Sequence, residues 1–147
     1  MPKVVRVLVV VCLLLCLVLV RAFEYDLFYD PFLNYFESDH LTKPMPEVAY
    51  LKLFFSYLFR FSLNSGISFL ILKVAFPVRS FLKTIMSFYG IAFLFLSVLF
   101  FGLIISKVEV GYLFPFYVRR FIIHPVFIIV LFPFVYLLKK RYRFNLE

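Results

Sequence analysis

The sequence predicts an all-α integral membrane protein: a four-helix bundle with a short interfacial amphipathic helix in its first outer loop. Three observations point there. Of 147 residues, 65% are apolar and 22% aromatic, with a mean hydropathy of +1.02. A soluble domain of this size is about half apolar, so one water-soluble core could not hide this much greasy surface. The apolar residues gather into four runs, and the charges gather between them. The chain forms one membrane domain over residues 1–147, with no stretch left over for a separate soluble unit.

The first run extends over 4–20. Its uninterrupted part, Val7 to Val20, is short for a span of about 20 residues, but Arg6 can snorkel toward headgroups and let Val4 and Val5 join it. Lys3 and Arg6 before an apolar core imitate a signal peptide. No small-x-small cleavage site follows, so an uncleaved signal anchor is expected. Cys12 and Cys16 stand one turn apart on this helix, too far for a relaxed disulfide, and read as small apolar residues.

The outer loop, 21–47, holds six of the eight acids and opens on a strongly aromatic segment. Asp30 followed by Pro31 is a helix start, with Asp30 as N-cap and Pro31 in the first helical position. The helix from Phe32 to Ser38 is expected at the membrane interface, its rings in lipid or against the spans.

The second run, 49–76, carries a polar stripe: Lys52, Ser56, Arg60, Asn64 and Ser68, four residues apart. Each step of four advances about 400°, so the five drift slowly round one flank of a helix. An arginine within a bilayer is costly, and this polar company argues for an inward-facing seam over simple snorkelling. Ser62 and Gly66 are expected to allow close helix approach.

The third run, 85–106, has 22 residues without a charge and is the clearest span. The fourth, 121–138, is broken by His124, Pro125 and Pro133, which predicts a kinked span. Residues 139–147 read as a basic cytoplasmic tail.

Orientation follows from lysine and arginine near the ends of the runs. With the N-terminus inside, nine fall on the cytoplasmic side (Lys3, Arg6, Lys73, Arg79, Lys83, Lys139, Lys140, Arg141, Arg143) and five outside (Arg21, Lys43, Lys107, Arg119, Arg120). Both termini are therefore expected in the cytoplasm, with the chain in a cell inner membrane. The net charge of +8 flanks spans, where anionic lipid accounts for it, so nucleic acid is excluded as a partner.

No acid lies within any run, so Arg60, about 10 Å below the outer surface, must find a counter-charge in the outer loop, a lipid phosphate or a partner protein. Asp26 and Asp30 are the expected candidates. His124, Arg119 and Arg120 fall at the same outer level and complete the candidate seam, with Arg21, Asp26, Asp30 and Pro31 as outer-loop contacts. The spacing of His and Cys offers no metal site, the scattered glycines form no phosphate loop, and no cofactor is expected. No repeat of the transporter kind occurs.

Three segments, "RAFEYDLFYDPFLNYF", "LFRFSLNSGISFLIL" and "YVRRFIIHPVFIIVLFPFVY", together resemble the exosortase F system-associated proteins, small membrane proteins of Bacteroidota encoded beside an exosortase. The likeness runs in order over nearly the whole chain. It implies a non-catalytic accessory role beside a membrane-embedded, cysteine transpeptidase-like enzyme that processes sorting signals of exported proteins, with the exosortase or its substrates as partner. The family supplies no catalytic residues to carry over.

Two alternatives come from the residues. Cys16, His124 and Arg60 could form a membrane-embedded thiol enzyme, although Cys16 has no activator on its own helix. The seam could also serve a small transporter or lipid-handling protein, for which a homo-oligomer would double the four spans.

Overall fold

A computed structural model of the chain describes residues 2–39, 44, 46–76, 82–106 and 113–144, of which 38, 39 and 142–144 are described by backbone alone. Among the described residues the chain is helical, with no strand. Helix α1 is Lys3–Ala22, followed at once by the single turn α2, Glu24–Leu27. A third short helix, α3, Phe32–Asn34, runs into a π-helical turn at Tyr35–Asp39. The long helices α4, Tyr50–Ala75, and α5, Leu82–Ile105, come next, and α6, Leu113–Ile123, and α7, Val126–Phe144, close the chain.

Helices α1, α4 and α5 are long and apolar enough to cross a membrane, and α6 with α7 would make a fourth span if the pair acts as one. The chain thus has the build of a multi-pass membrane protein. Its outside is greasy throughout: Val4, Leu15 and Val18 on α1, Leu94, Phe95 and Val98 on α5, and Ile129 and Val130 on α7 are all exposed. In water such a surface would aggregate; in lipid it is the proper exterior.

Helix α1 lies along α4, α4 packs on α5, and α6 packs on both α4 and α5. The core between them is aromatic. Tyr57 and Phe100 have ring centroids 5.5 Å apart, and Phe61 and Phe93 4.9 Å. Flat rings with a negative face and positive edge fill the gaps in tilted and edge-on pairs, each contributing about 0.5–1.5 kcal/mol beyond its area. Helix α1 adds only Leu17 to the buried set; Val9, Val10, Leu13 and Val20 are half-buried, and most of its other side chains are exposed.

Several expectations need correcting. The helix leading into the fourth run begins at Leu113, ahead of Phe121, so Arg119 and Arg120 belong to α6 and not to a loop. Its kink is a break at His124–Pro125, with 59° between the two axes, whereas Pro133 sits inside a continuous α7. Pro125 lacks the N–H that would bond Phe121, and the residue before a proline is pushed out of helical geometry. The expected tail begins as the end of α7, which runs to Phe144. Ser62 and Gly66 do not mediate close packing: both are exposed, and a Cβ at Gly66 would meet nothing within 4 Å. Lys43, Arg79 and Lys107, used for orientation, lie outside the described residues.

The Asp30–Pro31 start is present. The Asp30 Oδ1 accepts from the Phe32 amide at 3.2 Å, and Pro31 is helical at φ −65°, ψ −19°. The segment does not rest its rings in lipid. Phe32 is 0% exposed, with its ring edge-on to Phe100 at 5.7 Å, and Leu33, Tyr35 and Phe36 are buried beside it. It is a lid seated on the helices.

Candidate functional site: a buried charge cluster beneath an aromatic lid

Helix α1 ends at Ala22, where the Phe23 amide bonds Leu19 and the chain turns into α2. Because α1 runs along α4, this turn brings Glu24 over Arg60. The Arg60 Nη2 donates to Glu24 Oε2, while Arg60 Nη1 stands 3.9 Å from Asp30 Oδ2. The Arg60 guanidinium also lies over the Phe28 ring, 5.1 Å from its centroid. Arg60 is 1% exposed and Glu24 8%.

Past α2, Phe28 is extended, and the chain re-enters helix at Asp30–Pro31. The carboxylate that starts α3 is also the hub of a second pair. Arg119 donates through Nη2 to Asp30 Oδ2 at 2.5 Å and through Nε to Asp30 Oδ1 at 3.3 Å. Tyr57 donates its hydroxyl to the same Oδ1 at 3.1 Å and accepts from Arg119 Nε at 3.2 Å. Two acids and two arginines thus form a neutral cluster away from water. Placed singly, each would carry a desolvation penalty of several kcal/mol, which the pairing offsets in part: Arg60 Nε and Nη1 stay buried without a hydrogen-bond partner among the described residues. The cluster joins the lid to α4 and α6 at once.

One turn further along α4, Asn64 Nδ2 donates to the Ile123 carbonyl at 3.0 Å. That carbonyl is among those the break at Pro125 leaves without a helical partner. The rest of the stripe is mixed. Ser68 is buried and Ser56 half-buried, each with a hydroxyl lacking a partner of good geometry among the described residues. Lys52 is exposed, its ammonium 4.4 Å from the centroid of the Tyr29 ring.

Arg21 Nη1 lies 2.8 Å from both ring nitrogens of His124. A guanidinium only donates, so the nitrogen it bonds carries a lone pair and the ring is neutral. Arg120 is exposed at the end of α6. Beside these groups a cavity of about 260 Å³ opens between the end of α1, the lid and α6. Between Arg60, Asn64 and His124 only about 10 Å³ is free, the room of roughly one water.

The inward face of the stripe, Arg60–Asn64–Ser68, is therefore where the spacing put it. The acid that meets Arg60 was not foreseen: it is Glu24, with Asp30 second, while Asp26 is exposed and without an ion pair among the described residues. Glu24 could have been found as the first acid after the first run, and Tyr57 as the residue three before Arg60 on the same face. Cys16 does not join His124 and Arg60. It is exposed, about 100° round α1 from Leu17, the residue that faces the space between Arg60, Asn64 and His124. Among the described residues no three His, Cys, Asp or Glu side chains converge as metal ligands would.

No protein-family model, curated protein or solved structure matches the chain.

Proposed function

We propose that the chain is a four-span bundle of a bacterial inner membrane, both termini cytoplasmic, serving as a non-catalytic accessory subunit of an exosortase-type protein-sorting system. The closed charge cluster is the observation that carries the non-catalytic reading. Arg60 is engaged by Glu24 and Arg119 by Asp30, and all four side chains are buried. Groups spent on one another inside a protein position structure; a reactive set needs an unspent base or nucleophile facing substrate. Cys16 is exposed on α1 and makes no contact with Arg60 or His124 among those the described residues show. The seam, with room for about one water, is also a poor conduit.

This changes where a partner docks. Arg60 already has its carboxylate, so it does not reach for a partner's. The accessory reading assigns docking to the lid edge, where Phe23, Tyr25 and Leu27 are exposed beside Asp26. Detergent extracts are expected to yield the chain and a co-expressed exosortase as one complex. Substituting Phe23, Tyr25 and Leu27 together by Ser should release the enzyme and slow processing of its exported substrates. A chain that never co-purifies, and whose deletion leaves processing unchanged, rules the reading out. Loss of processing in Cys16→Ser would instead restore the thiol-enzyme alternative.

A further inference from the structure

The cavity beside the lid has a mixed lining: the apolar Leu33, Phe36, Phe116 and Ile123 together with Arg21, Arg120 and His124. Of its remaining charged neighbours, Glu24 is neutralised by Arg60 and Arg119 by Asp30. Glu37 accepts from the Tyr25 hydroxyl at 2.8 Å. Arg21 meets only the neutral His124 ring, and Arg120 has no ion pair among the described residues. Two guanidiniums thus border one recess with no carboxylate of the described chain within 4 Å of either.

We propose that this recess holds the phosphate of an anionic phospholipid. Guanidinium forks match phosphate oxygens in charge and in geometry, and the bonds strengthen where apolar walls exclude water. The lipid origin follows from position. Arg21 closes a helix whose neighbouring surface, Leu14, Leu15, Val18 and Leu19, is exposed along its length. A headgroup in the recess therefore leaves its acyl chains a continuous apolar track beside α1. The volume of about 260 Å³ suits a headgroup and not a whole amphiphile. The site does not depend on the accessory role proposed above.

Native mass spectrometry of the full chain in neutral detergent tests it, with phosphatidylglycerol, phosphatidylcholine of the same chains, and inorganic phosphate as probes. Phosphatidylglycerol is expected to bind in preference to phosphatidylcholine. Arg21→Gln and Arg120→Gln should each weaken that binding about tenfold, as befits loss of one charge-assisted contact. Arg120→Lys should retain part of it, and Arg6→Gln, at the far end of α1, should retain all of it. Both arginines are exposed, so the variants are expected to fold, and an unchanged thermal midpoint checks this. Equal binding of the two lipids, or equal binding by the wild type and the Arg21→Gln/Arg120→Gln double variant, overturns the site. Inorganic phosphate bound with no binding of phosphatidylglycerol overturns its lipid source.

Discussion

Glu24, the second residue beyond α1, closes on Arg60, in the middle of α4, and the bond is buried on both sides. A pair 36 positions apart in sequence thereby fixes the angle at which the chain leaves the first helix. Everything above it depends on that angle. The lid sits with Phe32 edge-on to Phe100, held there by Asp30, six residues after Glu24, which reaches Arg119 and Tyr57.

Asp30 should be less replaceable than Tyr57. Asp30→Asn keeps the shape and some hydrogen bonds but leaves Arg119 as a buried, unmatched charge. The expected loss is about 3 kcal/mol, the range found when one partner of a buried ion pair is removed. Tyr57→Phe removes one hydroxyl between two groups that still hold each other, so about 1 kcal/mol is expected. Thermal unfolding in detergent orders the two; a larger loss for Tyr57→Phe would show that the hydroxyl, and not the ion pair, holds the lid.

Asn64 should matter through the broken helix. Asn64→Leu leaves the Ile123 carbonyl buried without a partner, at about 1–3 kcal/mol. In Pro125→Ala the missing N–H returns and the helix can close over the gap, so the 59° bend should narrow and the cost of Asn64→Leu should shrink. Spin-label distances between α6 and α7 report the bend. An unchanged distance distribution in Pro125→Ala would place its cause elsewhere in the packing.

These two cases show what the sequence made legible. The apolar runs, the inward stripe and the Asp30–Pro31 start rest on local periodicity and turn chemistry, which short windows reveal. Which acid meets Arg60 depends on how α1 leans along α4, a tertiary fact with no local signature. Arg119 was misplaced for a related reason. Counting charges near span ends puts Arg119 and Arg120 in a loop, yet Leu113–Ile123 is helical and buries Val118, Arg119 and Ile122 on one face. The polar residue reads as loop only until its partner, Asp30, is known.

The lid edge has its own pH signature. The hydrogen bond to Glu37 is the first cause that raises the Tyr25 hydroxyl pKa above its ordinary 10.0. A raised pKa means that the folded state holds this proton more tightly than the unfolded one. The contribution is therefore complete below about pH 10 and declines as pH rises toward the folded value. The difference in thermal midpoint between wild type and Tyr25→Phe should stay level to about pH 10 and shrink above it. A difference that grows over that range would mean the bond favours the ionised phenol.

The most direct measurement is a double-mutant cycle on unfolding free energy with Glu24→Gln, Arg60→Gln and the pair. Each single change leaves one buried charge uncompensated and should destabilise by about 3–5 kcal/mol. The double variant removes both charges, so it should be far less damaging than the sum, with a coupling of more than about 1 kcal/mol. Additivity within about 0.5 kcal/mol would mean that Arg60 is neutralised by lipid or by another protein, and the closed cluster would fall.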